Sequence, residues 1–96
     1  MYVLITYDIN TTSKVGQTRL RKVAKVCENY GQRVQNSVFE CKINETQFCD
    51  IQNQLVKIID KKVDSLRFYR LGNNYDRRVK HIGSKETYKM DEPLIL

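Results

Sequence analysis

Ninety-six residues suffice for one small domain and leave no room for a second core. With 41% hydrophobic and 29% charged residues, four Gly and one Pro, the chain is neither disordered, nor collagen-like, nor a low-complexity linker. Seventeen Lys and Arg against eleven Asp and Glu give a net charge of +6, gathered in residues 14–33 (+5) and 61–89 (+6). Two basic segments that also carry tyrosine suit a polyanion partner, and they suit a plain solvated surface equally well.

No apolar run reaches membrane-spanning length, and Met1–Asp8 lacks the basic flank and cleavage site of a signal peptide, so a soluble, cytoplasmic protein with no membrane partner is expected. Cys27, Cys41 and Cys49 are too few for a disulfide scaffold and form no CxxC pair. They read as small buried thiols.

In chain order, Val3-Leu4-Ile5-Thr6-Tyr7 is a β-branched and aromatic run, apolar on both faces as a central strand should be, and it ends at Asp8 before the turn-prone Asn10-Thr11-Thr12-Ser13. A helix is expected from about Val15 to Tyr30, with Leu20, Val23, Ala24, Cys27 and Tyr30 in one apolar stripe and Gly31 as a left-handed C-terminal cap. Arg33-Val34-Gln35 and Val38–Ile43 follow as two strands, or as one strand broken at Asn36-Ser37. Val38, Glu40 and Lys42 alternate with Phe39, Cys41 and Ile43. Asn44 and Gln47 form a capping-box pattern opening a second helix, striped by Phe48, Ile51, Leu55, Ile58 and Ile59. Ser65–Leu71 is a further strand, Gly72-Asn73-Asn74 a turn, and Arg78–Ile82 a short extra edge strand.

This β-α-β-β-α-β order predicts an α+β, ferredoxin-like fold: an antiparallel sheet with two helices on one face, plus an extra C-terminal edge strand. One domain covers 1–96, with residues 72–96 as an extension expected to contact a dimer mate or partner. Both helices cover the same face of the sheet, and the strands are apolar on both, so face-to-face dimerisation is expected.

Among residues that carry chemistry, Asp8 stands out as a carboxylate at the end of a central strand and the only acid in the first 27 residues. A hard cation such as Mg²⁺ needs few protein ligands, because water and phosphate oxygens complete its octahedron. Position alone also allows Asp8 to be a loop or helix cap. His81 is isolated, no Ser has a neighbouring His, and no phosphate-binding glycine loop or RNA-stacking signature is present.

Tyr7-Asp8-Ile9, Arg19-Leu20-Arg21-Lys22-Val23 and Gly31–Glu40, followed by Phe68–Gly72, Arg77-Arg78-Val79 and His81-Ile82-Gly83, together resemble the CRISPR-associated protein 2 family, in the branch of compact type I systems. Their order and spacing carry the match across nearly the whole chain. The resemblance implies a homodimer with Asp8 of each subunit near the two-fold axis, sharing Mg²⁺ or another divalent cation such as Mn²⁺. It further implies metal-dependent endonuclease activity on single-stranded RNA or duplex DNA, and a place beside the CRISPR-associated protein 1 integrase in spacer acquisition. A non-catalytic scaffold of that integrase complex is the alternative. By position, Asp8 is the metal ligand, and Tyr7, Arg19, Arg21, Arg33 and Phe39 match positions linked to activity or substrate contact. Arg77 and Arg78, in the second basic segment, are expected to track phosphates. The residues alone leave Tyr7 and Phe39 open as core aromatics, and Arg33 open between phosphate and an acid such as Glu28.

Overall fold

A computed structural model describes residues 1–72 together with Lys80 and Ile82. Six elements follow one another: β1 (Tyr2–Asp8), α1 (Lys14–Tyr30), β2 (Gly31–Gln35), β3 (Val38–Lys42), α2 (Glu45–Ile58) and β4 (Ser65–Gly72). The sheet order is β2-β3-β1-β4, with every neighbouring pair antiparallel. This is the ferredoxin-like arrangement anticipated from the sequence. The extra edge strand expected over Arg78–Ile82 lies outside the described residues.

The core forms where the helices cover the sheet. Val3, Ile5 and Tyr7 of β1 point inward with Phe39 and Cys41 of β3, against Val23 and Cys27 of α1 and Phe48, Ile51 and Leu55 of α2. Strict alternation in β1 explains this division, since successive side chains leave opposite faces of a pleated strand. Ser13 caps α1 by accepting from the Gly16 amide at 3.1 Å. Asn44 and Gln47 form a complete capping box at the start of α2, as their spacing predicted.

Two local expectations are corrected. Gly31 is not a left-handed cap: its φ of −159° and ψ of −163° are extended, and it opens β2 directly. A Cβ there would meet the Glu40 carbonyl oxygen at 2.3 Å and Cys41 Sγ at 2.5 Å, so glycine serves close strand approach rather than a turn. The positive φ, 78°, belongs instead to Gly72. Cys49, expected as a small buried thiol, is exposed on α2, while Glu40 in the alternating β3 is buried at 4% exposure. The register neighbours of Glu40 are Leu4 of the central β1 on one side and Gln32 of the edge strand β2 on the other.

Candidate functional site

Asp8 closes β1. Because Tyr7 turns inward onto Phe39, the pleat puts Asp8 on the helix-free face with Leu4 and Thr6. It is exposed and pairs in register with Ser65 of β4. On its other side β1 outruns β3: their register ends at Thr6 opposite Val38, and the Tyr7 amide donates to the Ser37 carbonyl at 3.1 Å.

An exposed carboxylate is a hard oxygen donor and fits Mg²⁺ or Mn²⁺ chemically. Among the described residues, however, no three His, Cys, Asp or Glu side chains gather into a metal-binding group. The described residues therefore place no such group around Asp8. Such a donor suits a cation that keeps most of its water, or one shared with a second carboxylate.

The other sequence-nominated residues lie elsewhere. Phe39 is fully buried and Tyr7 is 5% exposed, their rings stacked at a centroid separation of 6.2 Å. The Tyr7 hydroxyl donates to the Asn36 carbonyl at 3.3 Å and so holds the β2–β3 turn. Burial pushes its pKa up, with the Arg33 charge pulling the other way. Arg33 pairs in register with Phe39, lies over its ring, and approaches Glu28 at 3.7 Å. These three residues form one cluster on the helix side of the sheet, opposite the face that carries Asp8.

Arg19 is committed inside the chain. Its Nε donates to Asp64 Oδ2 at 2.8 Å and its Nη2 to Asp64 Oδ1 at 3.3 Å. Burial alone would raise the Asp64 pKa. The Arg19 hydrogen bond, the Asp60 and Asn10 amides and the Arg19 charge outweigh burial and hold the carboxyl below its ordinary range. The same pairing raises the pKa of Arg19.

Arg21 is exposed on the outer face of α1, where its Nη2 reaches Thr18 Oγ1 at 3.4 Å. With Lys14 and Lys25 it falls inside about 40° of helix circumference, a cationic stripe set by the 3.6-residue period. Arg77 and Arg78 lie outside the described residues. Two residues near Asp8 escaped sequence reasoning. Arg67, opposite Thr6, shares the helix-free face with Asp8 and donates to the Tyr69 hydroxyl at 3.2 Å. Asp64 sits in an ordinary-looking polar turn, where only the fold reveals its partner. For Arg67 the alternation along Ser65–Tyr69 carried the signal.

The family model for CRISPR associated protein Cas2 matches residues 1–79. This chain belongs to the Cas2 family. It is 58% identical to the CRISPR-associated endonuclease Cas2 of Halalkalibacterium halodurans over 95 residues, covering 99% of each chain. It is 51% identical to the CRISPR-associated endoribonuclease Cas2 of Chlorobaculum tepidum over 96 residues, covering both chains fully. The crystal structure of Streptococcus pyogenes Cas2 at pH 6.5 superposes with a TM-score of 0.78 at 58% identity, covering 86% of this chain and all of that one. Family membership, and with it the fold, thus agrees with the resemblance carried by the sequence motifs.

Proposed function

We infer that this Cas2-family chain is a divalent-metal-dependent endonuclease of CRISPR adaptation, acting as a homodimer on duplex DNA or single-stranded RNA. The observation that carries the reading is Asp8: an exposed carboxylate at a strand end, on a helix-free face, outside any cluster of three or more His, Cys, Asp or Glu side chains among the described residues. A second copy packed face to face would bring its own Asp8 near the axis. Two facing carboxylates repel unless a cation lies between them. Bound Mg²⁺ or Mn²⁺ would supply Lewis acidity and an activated water.

The protein's own residues do the rest. Asp8 orients the metal, while Arg21 with Lys14 and Lys25, and Arg77 with Arg78, attract the phosphate backbone. Such contacts position nucleic acid without reading its sequence. Tyr7, Phe39 and Arg19 act from within the fold, with the half-exposed Arg33 laid over Phe39, holding the strands that end at the site. Residues 72–96, with the apolar Pro93-Leu94-Ile95-Leu96, would dock the dimer mate or the CRISPR-associated protein 1 integrase. The sparse ligand set also favours a second reading, in which the dimer is a cytoplasmic DNA-binding scaffold with no chemistry of its own.

Cleavage assays on duplex DNA and single-stranded RNA, with Mg²⁺ and with chelator, separate the two. For the nuclease, Asp8→Asn abolishes Mg²⁺-dependent cleavage while folding and DNA binding stay near wild type. Metal-dependent cleavage that survives in Asp8→Asn puts the metal elsewhere.

A further inference from the structure

Asp64 precedes β4 by one residue, and its side chain is completely shielded from solvent, with Arg19 beside it only 16% exposed. Both carboxylate oxygens are filled. Oδ2 accepts from Arg19 Nε and from the Asp60 amide, each at 2.8 Å. Oδ1 accepts from the Asn10 amide at 2.9 Å and from Arg19 Nη2 at 3.3 Å. A carboxylate offers about four acceptor sites, so none remains.

Sequence neighbours give this knot its meaning. Asn10 lies two residues beyond Asp8, and Ser65, the register partner of Asp8, directly follows Asp64. The ion pair therefore fastens the chain on both sides of the strand pair that presents Asp8. Close packing tightens the same loop, since a Cβ on Gly16 would stand 2.0 Å from the Asn10 carbonyl oxygen.

We propose that Arg19 and Asp64 are positioning residues for the Asp8 site, and that Arg19 influences metal binding through this clamp rather than by touching nucleic acid. The inference rests on the reading of Asp8 as metal ligand. An arginine that swung out to a phosphate would leave Asp64 buried, charged and unpaired, a heavy penalty. Supporting groups behind a metal ligand typically change metal affinity or activity by 10–100-fold.

The test titrates Mn²⁺ alone into the full-length chain, following free Mn²⁺ by electron paramagnetic resonance below the melting temperature of every variant. Arg19→Gln and Asp64→Asn should each weaken Mn²⁺ binding by about 10–100-fold, with the double variant no worse than the weaker single one. Arg19→Lys, which keeps the charge but loses the fork, should fall between. The log–log salt slope of duplex DNA binding should stay at the wild-type value in all of them. If Asp64→Asn does not fold, the two Arg19 variants decide the matter.

Wild-type Mn²⁺ affinity in the clamp variants, with Asp8→Asn impaired, overturns the clamp alone. So does a salt slope that drops by ~0.9 in Arg19→Gln, the mark of a lost phosphate contact. Unimpaired Mn²⁺ binding by Asp8→Asn overturns the metal reading and this inference with it.

Discussion

Arg33 lays its guanidinium over the ring of Phe39, 5.2 Å from the centroid, and the two residues are register partners on adjacent strands. Phe39 in turn stacks on Tyr7, so a half-exposed cation roofs two core aromatics that lead directly to Asp8. At an exposed site such a cation–π contact is worth about 0.5–1 kcal/mol, and the 3.7 Å approach to Glu28 adds less. Arg33→Ala should therefore lower unfolding free energy by about 1 kcal/mol, and Glu28→Gln by well under half of that. Urea denaturation of both variants checks the order. A larger loss in Glu28→Gln would assign the role of Arg33 to the ion pair.

The helix-free face presents Leu4, Thr6, Val38 and Tyr69, each partly buried, around the buried Glu40. Packed against a second copy, this face would be covered. Light scattering should give about twice the 11.4 kDa chain mass at micromolar concentration. Thr6→Arg, at the centre of the face, should return the mass toward that of one chain without loss of helical circular dichroism. A wild-type monomer would remove the face-to-face assembly.

Phosphate contacts release counterions, so the logarithm of duplex DNA affinity should fall linearly with the logarithm of salt, by ~0.9 per contact. Replacing Arg77 and Arg78 together by Ala should flatten the slope by about 1.8. Arg21→Ala should flatten it by up to one contact. Binding that ignores salt would make the positive charge incidental.

The thiols behave differently from one another. Burial pushes Cys27 and Cys41 up to about 12, whereas Cys49 is exposed on α2. At pH 8 a disulfide reagent should titrate one thiol per native chain, at Cys49, and all three in denaturant. Rapid reaction of Cys27 or Cys41 under native conditions would show that α1 opens from the sheet.

The elements were legible because their signals are local. The β-branched and aromatic run Val3–Tyr7, the apolar stripes of α1 and α2 and the Asn44–Gln47 box depend on residues a few positions apart, and each is found where the pattern put it. Gly31 was misread because a glycine after a helix looks the same whether it turns the chain or admits a neighbouring strand. Cys49 was misread because a thiol on a helix is buried only when its position falls on the face that packs inward, as Phe48, Ile51 and Leu55 do on α2.

The site divides along the same line. Sequence alone carried the resemblance to the family, through the order and spacing of its motifs, while composition and short-range patterning settled the basic segments and Asp8 as a carboxylate ending a strand. Only tertiary structure decided that Asp8 and the cluster of Tyr7, Arg33 and Phe39 lie on opposite faces of the sheet, and that Arg19 closes onto Asp64, 45 positions away along the chain. Pairings at that separation are settled by which strand ends the fold brings together and by the cost of leaving a buried carboxylate without a cation, and neither is written into any local stretch of residues.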